Sequence, residues 1–401
     1  MLEQLFSIHT ATTRNVPLVF KRYLFREIDW NSRSICITGA RGTGKTTILH
    51  QYLTEKYDNP EKCLYVSADH IDVVGRGLYR IAEEYFAYGG ETLIIDEVHK
   101  YPAWQLEIKS IIDTYQSKKI IISGSSSLDL KRGKADLSRR FAYYDLKGLS
   151  FREYLNLKEK KDFKACSLEQ LLKHHMKIAK DISSVQPILR LFEKYLSSGY
   201  YPFFVEGESV YLQKVMNVIE KVLYEDIAVI GNLKTNSIAV LKKLLWIVAT
   251  STSFTVNIER LSRDLGTVKE YIYYYLEYLE DTGLLNAVHT EGKGLKLARK
   301  PAKLFLENTN LLSAIGGSLK TVTDIGTIRE TFFVNQLKQG QKIRHSSIGD
   351  FIVNDHLHFE VGGKDKNFDQ LKDAKYGCVA ADGLEIGFGK KIPLYLFGFL
   401  Y

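Results

Sequence analysis

Over the first 150 positions the apolar residues are bunched into short runs: Ile35-Cys36-Ile37, Cys63-Leu64-Tyr65-Val66, Leu93-Ile94-Ile95 and Ile120-Ile121-Ile122. Runs of that length, each followed by turn-forming or acidic residues, suit strands buried on both faces, as in a parallel sheet covered by helices. Residues 141–146, FAYYDL, suit a fifth strand. Segments 46–53 and 78–88 between them carry helical spacing, and a further helix opens at Trp104 behind Tyr101-Pro102-Ala103. Strands alternating with helices predict an α/β unit over residues 1–150. Ahead of the first strand, residues 16–28 (VPLVFKRYLFREI) interleave apolar positions with Lys21, Arg22 and Arg26, which predicts an amphipathic helix packed on the sheet.

Past residue 150 the spacing becomes helical, with the clearest apolar stripes over 168–182 and 188–196. Helices are expected over 238–249, 256–265 and 267–282, the last opened by a capping box at Thr267-Val268-Lys269-Glu270 and burying Val268, Ile272, Leu276 and Leu279. A β-hairpin of 284–290 and 295–299 around Gly292-Lys293-Gly294 completes a winged-helix pattern. The tail, 323–401, shows a helix containing Glu330, then strands ending at Val353 and Val361.

Chemistry concentrates at residues 39–47, GARGTGKTT, which match G-x-x-x-x-G-K-[ST] between a strand and a helix. Gly39, Gly42 and Gly44 let the backbone turn tightly around Ala40, Arg41 and Thr43 and expose N–H groups to a phosphate. Lys45 reaches the β and γ phosphates, Thr46 holds Mg²⁺ through its hydroxyl, and Thr47 adds a second hydroxyl. Fifty-one positions after Lys45 the third strand ends in Asp96-Glu97. An acid there can join the Mg²⁺ shell (Asp96), and the next can polarise the water that attacks the γ-phosphate (Glu97). Ser125, behind the fourth strand, is a candidate γ-phosphate sensor, and Arg139 or Arg140 a candidate for answering the developing phosphate charge. Lys134-Ala135-Asp136 follows Gly133, which has no side chain to contact a base, and this points to ATP over GTP.

Composition changes the picture little. The 401 residues, 45% hydrophobic and 12% aromatic, can bury several cores, and no apolar run nears the roughly 20 residues that span a bilayer. A cytoplasmic protein with no membrane partner is expected. Cys36, Cys63, Cys166 and Cys378 are isolated and read as reduced thiols without a metal site. A net charge of +8 permits nucleic-acid contact without demanding it.

In their order and spacing GARGTGKTT, LIIDEVHKYPAW, IIISGSSSLDL, LSRRF and LSFREYL resemble the prokaryotic predicted ATPases of the AAA+ superfamily that carry a C-terminal domain of unknown, nuclease-like fold. The resemblance covers nearly the whole chain. It implies ATP and Mg²⁺ at Lys45, Thr46, Asp96 and Glu97, a trigger arginine at Arg140, and a homo-oligomer in which Arg140 acts across a subunit boundary. The chain departs from the family's paired glycines at Gly199-Tyr200-Tyr201. The tail is similar to the restriction-endonuclease-like fold, which implies a metal site at Glu330, Asp350, Glu360 and Lys364. There Gly362 stands where alternation asks for the lysine, two residues after Glu360, and this reads as a vestigial site.

The expected fold class is therefore α/β: a P-loop parallel-sheet ATPase (1–150), a helical lid (151–235), a winged-helix middle (236–322) and a restriction-endonuclease-like α/β domain (323–401). The expected activity is Mg²⁺-dependent ATP hydrolysis that drives a conformational switch coupled to the C-terminal half. The alternatives are a DNA-binding regulator with slow turnover and an ATP-gated nuclease. DNA would meet the wing at Lys293, Lys296, Arg299, Lys300 and Lys303, because the exposed face of the 267–282 helix carries Glu277 and Glu280 beside Lys269, Tyr273 and Tyr274. An unknown protein is the other partner class. For the tail, Asp350 and Glu360 can share a sheet face only if the loop at Asn354-Asp355 takes in a third residue, His356, or a bulge, and this odd register is the one expected.

Overall fold

The structure is a computed structural model and describes residues 2–124, 137, 139–183, 187–231, 233–252, 255–290 and 300–401. The chain divides into two compact units, Met1–Gly148 and Leu149–Tyr401.

Unit 1 is built on five parallel strands, β1 (Ser34–Thr38), β2 (Cys63–Ser67), β3 (Thr92–Asp96), β4 (Lys119–Ser123) and β5 (Ala142–Asp145), in the order β2-β3-β4-β1-β5. The apolar runs are the strands because parallel strands covered on both faces have no polar side to show: Ile35, Cys36, Ile37, Leu93, Ile94, Ile95, Ile120 and Ile121 are all fully buried. Chain order and sheet order part company at β1, which lies between β4 and β5. The loop leaving β1 therefore opens at the carboxyl edge of the sheet, where ligands of such folds sit. The N-terminal helix Leu2–Thr13 docks on β2 through buried His9, whose Nδ1 accepts the Tyr65 N–H at 3.0 Å. The helix expected over 16–28 is confined to Tyr23–Glu27. Arg22 is extended (φ −64°, ψ 152°), and its buried guanidinium is committed to loop carbonyls instead of a helix face.

Unit 2 starts with helices Phe151–Glu159 and Leu168–Ile182, each opened by a true capping box, Ser150 with Glu153 and Ser167 with Gln170. Helix Ile188–Ser198 follows, then Glu208–Lys221 running into the π-helical turn Val222–Ile227. Helices Thr235–Thr250, Ile258–Asp264 and Lys269–Asp281 lead to the antiparallel pair β6 (Leu285–Val288) and β7 (Lys303–Leu306). The second strand of that pair thus comes later than the expected 295–299. The capping box expected at 267–270 is replaced by a tie to the preceding helix: Val268 is the N-cap without a side-chain bond and is exposed, the Thr267 carbonyl accepts the Ser262 hydroxyl, and Lys269 pairs with Glu259. After Thr309–Leu319 and Ile325–Leu337 comes a second, mixed sheet in the order β12-β11-β10-β9-β8, made of β8 (Ile343–His345), β9 (Phe351–Val353), β10 (Leu357–Gly362), β11 (Gly377–Ala381) and β12 (Lys391–Pro393).

Among the described residues two large hydrophobic cores hold unit 2, beside a small one at Leu371, Val379 and Ala381. One gathers residues from 200 to 315, including Tyr211, Leu241, Ile272 and Leu279; the other joins Phe151, Leu171, Phe192 and Tyr195 to Phe332, Phe333, Phe351, Phe359 and Phe397. Helices read from sequence as a lid are thereby built into the same core as the tail sheet.

Candidate functional site

The loop Gly39–Gly44 turns at the carboxyl end of β1. Gly39 (φ 147°) lies against β5's exit so closely that a Cβ there would come 2.3 Å from the Leu146 carbonyl oxygen, and Gly42 (φ 84°) and Gly44 (φ 99°) also need the left-handed region. The helix Lys45–Lys56 then starts from Gly44 with no side-chain cap, which leaves its first N–H groups directed at the loop mouth. Within the loop Thr43 Oγ1 donates to the Ala40 carbonyl at 2.9 Å, and the Lys45 ammonium donates to the Gly39 and Ala40 carbonyls at 2.9 and 3.0 Å. Thr47 is exposed on the helix's outer side, and Arg41 is partly buried in the loop.

β3 delivers Asp96 to the same edge. Its Oδ2 accepts the Thr46 hydroxyl at 2.6 Å and the Tyr65 hydroxyl at 2.9 Å, and its Oδ1 accepts from the Ser123 hydroxyl. Asp96 is 1% exposed. Its three side-chain donors come from the P-loop helix, β2 and β4, and the Glu97 N–H donates to Oδ1 at 3.0 Å, so the carboxylate is locked at the junction of three elements. Thr46 and Asp96 offer hard oxygen ligands side by side, a donor set that fits Mg²⁺. Glu97 follows in the left-handed region (φ 51°), a conformation that costs a non-glycine residue about 1 kcal/mol and persists where surroundings enforce it. Its Oε2 is buried without a hydrogen bond among the described residues, with His99 Nε2 and the Lys100 ammonium 3.5 and 3.8 Å away. Burial, chiefly, pushes the Glu97 carboxyl upward, against the pull of Lys45. A buried carboxylate with an open oxygen is suited to accept a proton from water.

Sequence reasoning missed three supports of this site. Ser123, the last residue of β4, bonds Asp96, whereas the expected sensor Ser125 lies outside the described residues; strand parity at β4 was the available signal. Tyr65 gave none. Arg22 donates to the carbonyls of Thr43, Lys147 and Gly148 and so ties the P-loop to the exit of β5, a contact that only the fold brings about. Arg140 forms a two-pronged pair with Asp113 (2.8 and 2.9 Å) and Arg139 is exposed.

The remaining candidates behave differently. Lys293, Lys296 and Arg299 fall outside the described residues, and Lys300 is exposed. Lys303 is no wing residue open to DNA: it belongs to β7, and its ammonium lies 3.0 Å from Glu330 Oε2 and 3.7 Å from Asp350 Oδ1. β9 and β10 pair as Phe351 with Phe359 and Val353 with Leu357, leaving Asn354-Asp355-His356 as a three-residue loop with Asn354 and Asp355 at positive φ. One step further, that register sets Asp350 across from Glu360. The Asp350 N–H reaches the Phe359 carbonyl (2.9 Å) and its Oδ2 caps the Val361 N–H (2.9 Å), so the carboxylate bends over the end of the ladder. Lys364 is exposed, and its carbonyl accepts from Lys391. Lys366 pairs with Glu360 instead, its methylenes filling the space a Cβ on Gly362 would enter at 2.8 Å. The missing side chain at 362 is what lets Lys366 fold back.

A family model described as an AAA domain matches residues 31–155. Residues 31–155 are an AAA domain. The matched span takes in the P-loop, Asp96, Glu97 and Arg140. A second model, for a domain of unknown function, matches residues 189–322, the middle of unit 2. An uncharacterized protein of Methanocaldococcus jannaschii is 28% identical over 305 residues, 72% of this chain and 64% of its own length, so the chain spans just under two thirds of that relative. An uncharacterized protein of Haemophilus influenzae is 22% identical over 325 residues, 77% of this chain and 75% of its own. AMPPCP-bound DnaA from Aquifex aeolicus is similar at 16% identity over 64% of this chain and 86% of its own, with a TM-score of 0.28. Among the described residues no helix is long and apolar enough to cross a membrane.

Proposed function

We propose that the AAA domain binds and hydrolyses ATP with Mg²⁺ and that the nucleotide cycle sets the conformation of the C-terminal half. The observation that carries the reading is the 2.6 Å bond from Thr46 to Asp96 at the mouth of a glycine-turned loop, with half-buried Glu97 next in sequence. Lys45 leaves its loop carbonyls for phosphate oxygens, Thr46 and Asp96 hold Mg²⁺, and the first-turn N–H groups of Lys45–Lys56 receive the phosphates. A metal held by Thr46 and Asp96 would supply charge neutralisation to the nucleotide's phosphates. Glu97 orients the attacking water and takes its proton; its environment keeps the carboxyl poised for that exchange.

Lys45→Ala should lose ATP affinity, whereas Glu97→Gln should bind ATP as the wild type does and lose turnover about 100-fold or more. Calorimetric ATP titration beside a phosphate-release assay separates the two effects, and equal loss of affinity in both variants would sink the roles. The same assay run with and without DNA decides the partner: stimulated turnover supports a DNA-acting machine, and unchanged turnover supports a switch that works on protein.

A further inference from the structure

At the amino ends of β3 and β4, the edge of the sheet away from the P-loop, unit 1 holds a cavity of about 410 Å³, a size in the range of small-molecule sites. Lys56, which lines it, ends the helix Lys45–Lys56 and at roughly 1.5 Å of rise per residue stands about 16 Å from Lys45, so the cavity is separate from the phosphate mouth. One wall is aromatic: Trp30 and Tyr52 stack with ring centroids 4.1 Å apart. Tyr52 is 3% exposed, and its hydroxyl is buried with no hydrogen-bond partner among the described residues, the neighbouring Tyr57 hydroxyl being bonded to Thr92. A buried hydroxyl left open is a donor still waiting for an acceptor. The rest of the lining is basic. Lys56, Lys118 and Lys119 bring three ammonium groups against one carboxylate, Glu91, which is itself paired with Lys62 at 3.0 Å. Lys118 and Lys119 donate to the neutral carbonyls of Gly90 and Trp30, and none of the three lysines forms an ion pair among the described residues. Burial, and next Lys56, pushes the Lys119 ammonium downward, with Asp29 opposing from outside the lining.

We propose that this cavity binds a small phosphate monoester, its head among Lys56, Lys118 and Lys119 and its organic part against Trp30 and Tyr52. Charge decides the class. Three ammonium groups and one carboxylate leave the lining at +2, and a phosphate monoester carries close to −2 at pH 7. The carboxyl end of helix Lys45–Lys56 adds about half a negative charge at the same edge, which does not reverse that balance. A planar carboxylate is matched best by the fork of an arginine, whereas lysines are point charges that suit the oxygens of a tetrahedral phosphate, and no arginine lines the cavity among the described residues. The open Tyr52 hydroxyl stands as a neutral donor beside the three charged ones.

Calorimetric titration of phenyl phosphate into the full chain tests this, with Lys45→Ala in every protein so that any residual binding at the P-loop is common to all. One phenyl phosphate per chain should bind in the millimolar range or tighter, and roughly ten-fold or more tighter than phenol or benzoate, which lack the phosphate. Lys56 is exposed at the end of its helix, so Lys56→Gln removes one charge without touching a core and should weaken phenyl phosphate about ten-fold. Lys56→Arg, which keeps the charge, should bind within about three-fold of the parent. Absence of saturable binding overturns the proposal. So does benzoate or phenol binding as tightly as phenyl phosphate, or an affinity that Lys56→Gln leaves unchanged.

Discussion

At the scale of single residues, Glu97 shows how a site can be bought at the expense of stability. Its backbone is left-handed and its carboxylate is buried with an open oxygen. A carboxyl whose folded pKa is raised favours the native state below its unfolded value, and that contribution is lost as pH rises through the folded value. Glu97→Gln should therefore stabilise the nucleotide-free protein at pH 7 by on the order of 1 kcal/mol, with the gain gone near pH 4. Urea unfolding of both proteins at the two pH values checks it, and a variant less stable at pH 7 would contradict it. Lys45, Asp96 and Glu97 were legible in sequence because a P-loop and an acid behind an apolar strand fix chemistry by local spacing. Arg22, Tyr65 and Ser123 were not, since each reaches the site from a different element and nothing in its own neighbours encodes that reach.

Elements tell the same story from their ends. The five strands of unit 1 were plain in sequence because parallel strands are apolar throughout, whereas β7 was placed too early because Lys303 looks like a surface lysine until Glu330 is beside it. Face parity left two registers open for β9 and β10 and the resemblance to the nuclease-like fold favoured the odd one, but Lys366 in place of Lys364 depends on the space above Gly362, which no alternation rule foresees. Helix Leu2–Thr13 is held to β2 through neutral His9, whose pKa burial, aided by His50, lowers to about 4. Between its ordinary 6.5 and that value the unfolded chain takes up a proton that the folded chain refuses, so stability is full above pH 6.5 and falls as pH drops through the window. The loss at pH 5 relative to pH 7 should be about 2 kcal/mol. His9→Gln, which can still accept from Tyr65, should flatten most of that slope in denaturation curves; an unchanged slope would show that His9 is not its source.

For the whole molecule, the open question of assembly turns on Arg140. Its pair with Asp113 lies on the surface, with the arginine side chain 28% exposed, and such pairs are worth less than about 1 kcal/mol, so a neighbouring copy's phosphates could draw Arg140 away cheaply. If Arg140 acts across a subunit boundary, as the family resemblance implies, turnover per chain should rise with protein concentration, and mixing Arg140→Ala with Glu97→Gln should restore part of it. Concentration-independent turnover without rescue would leave Arg140 to Asp113 alone. Arg22 has a consequence of a mechanical kind. One guanidinium grips Thr43 in the P-loop and, 125 residues downstream, the carbonyls of Lys147 and Gly148, where unit 1 ends. It works as a clutch plate: the loop and the exit of β5 are coupled through one side chain, and a lysine there, with one point charge for a fork of five donors, would let them slip.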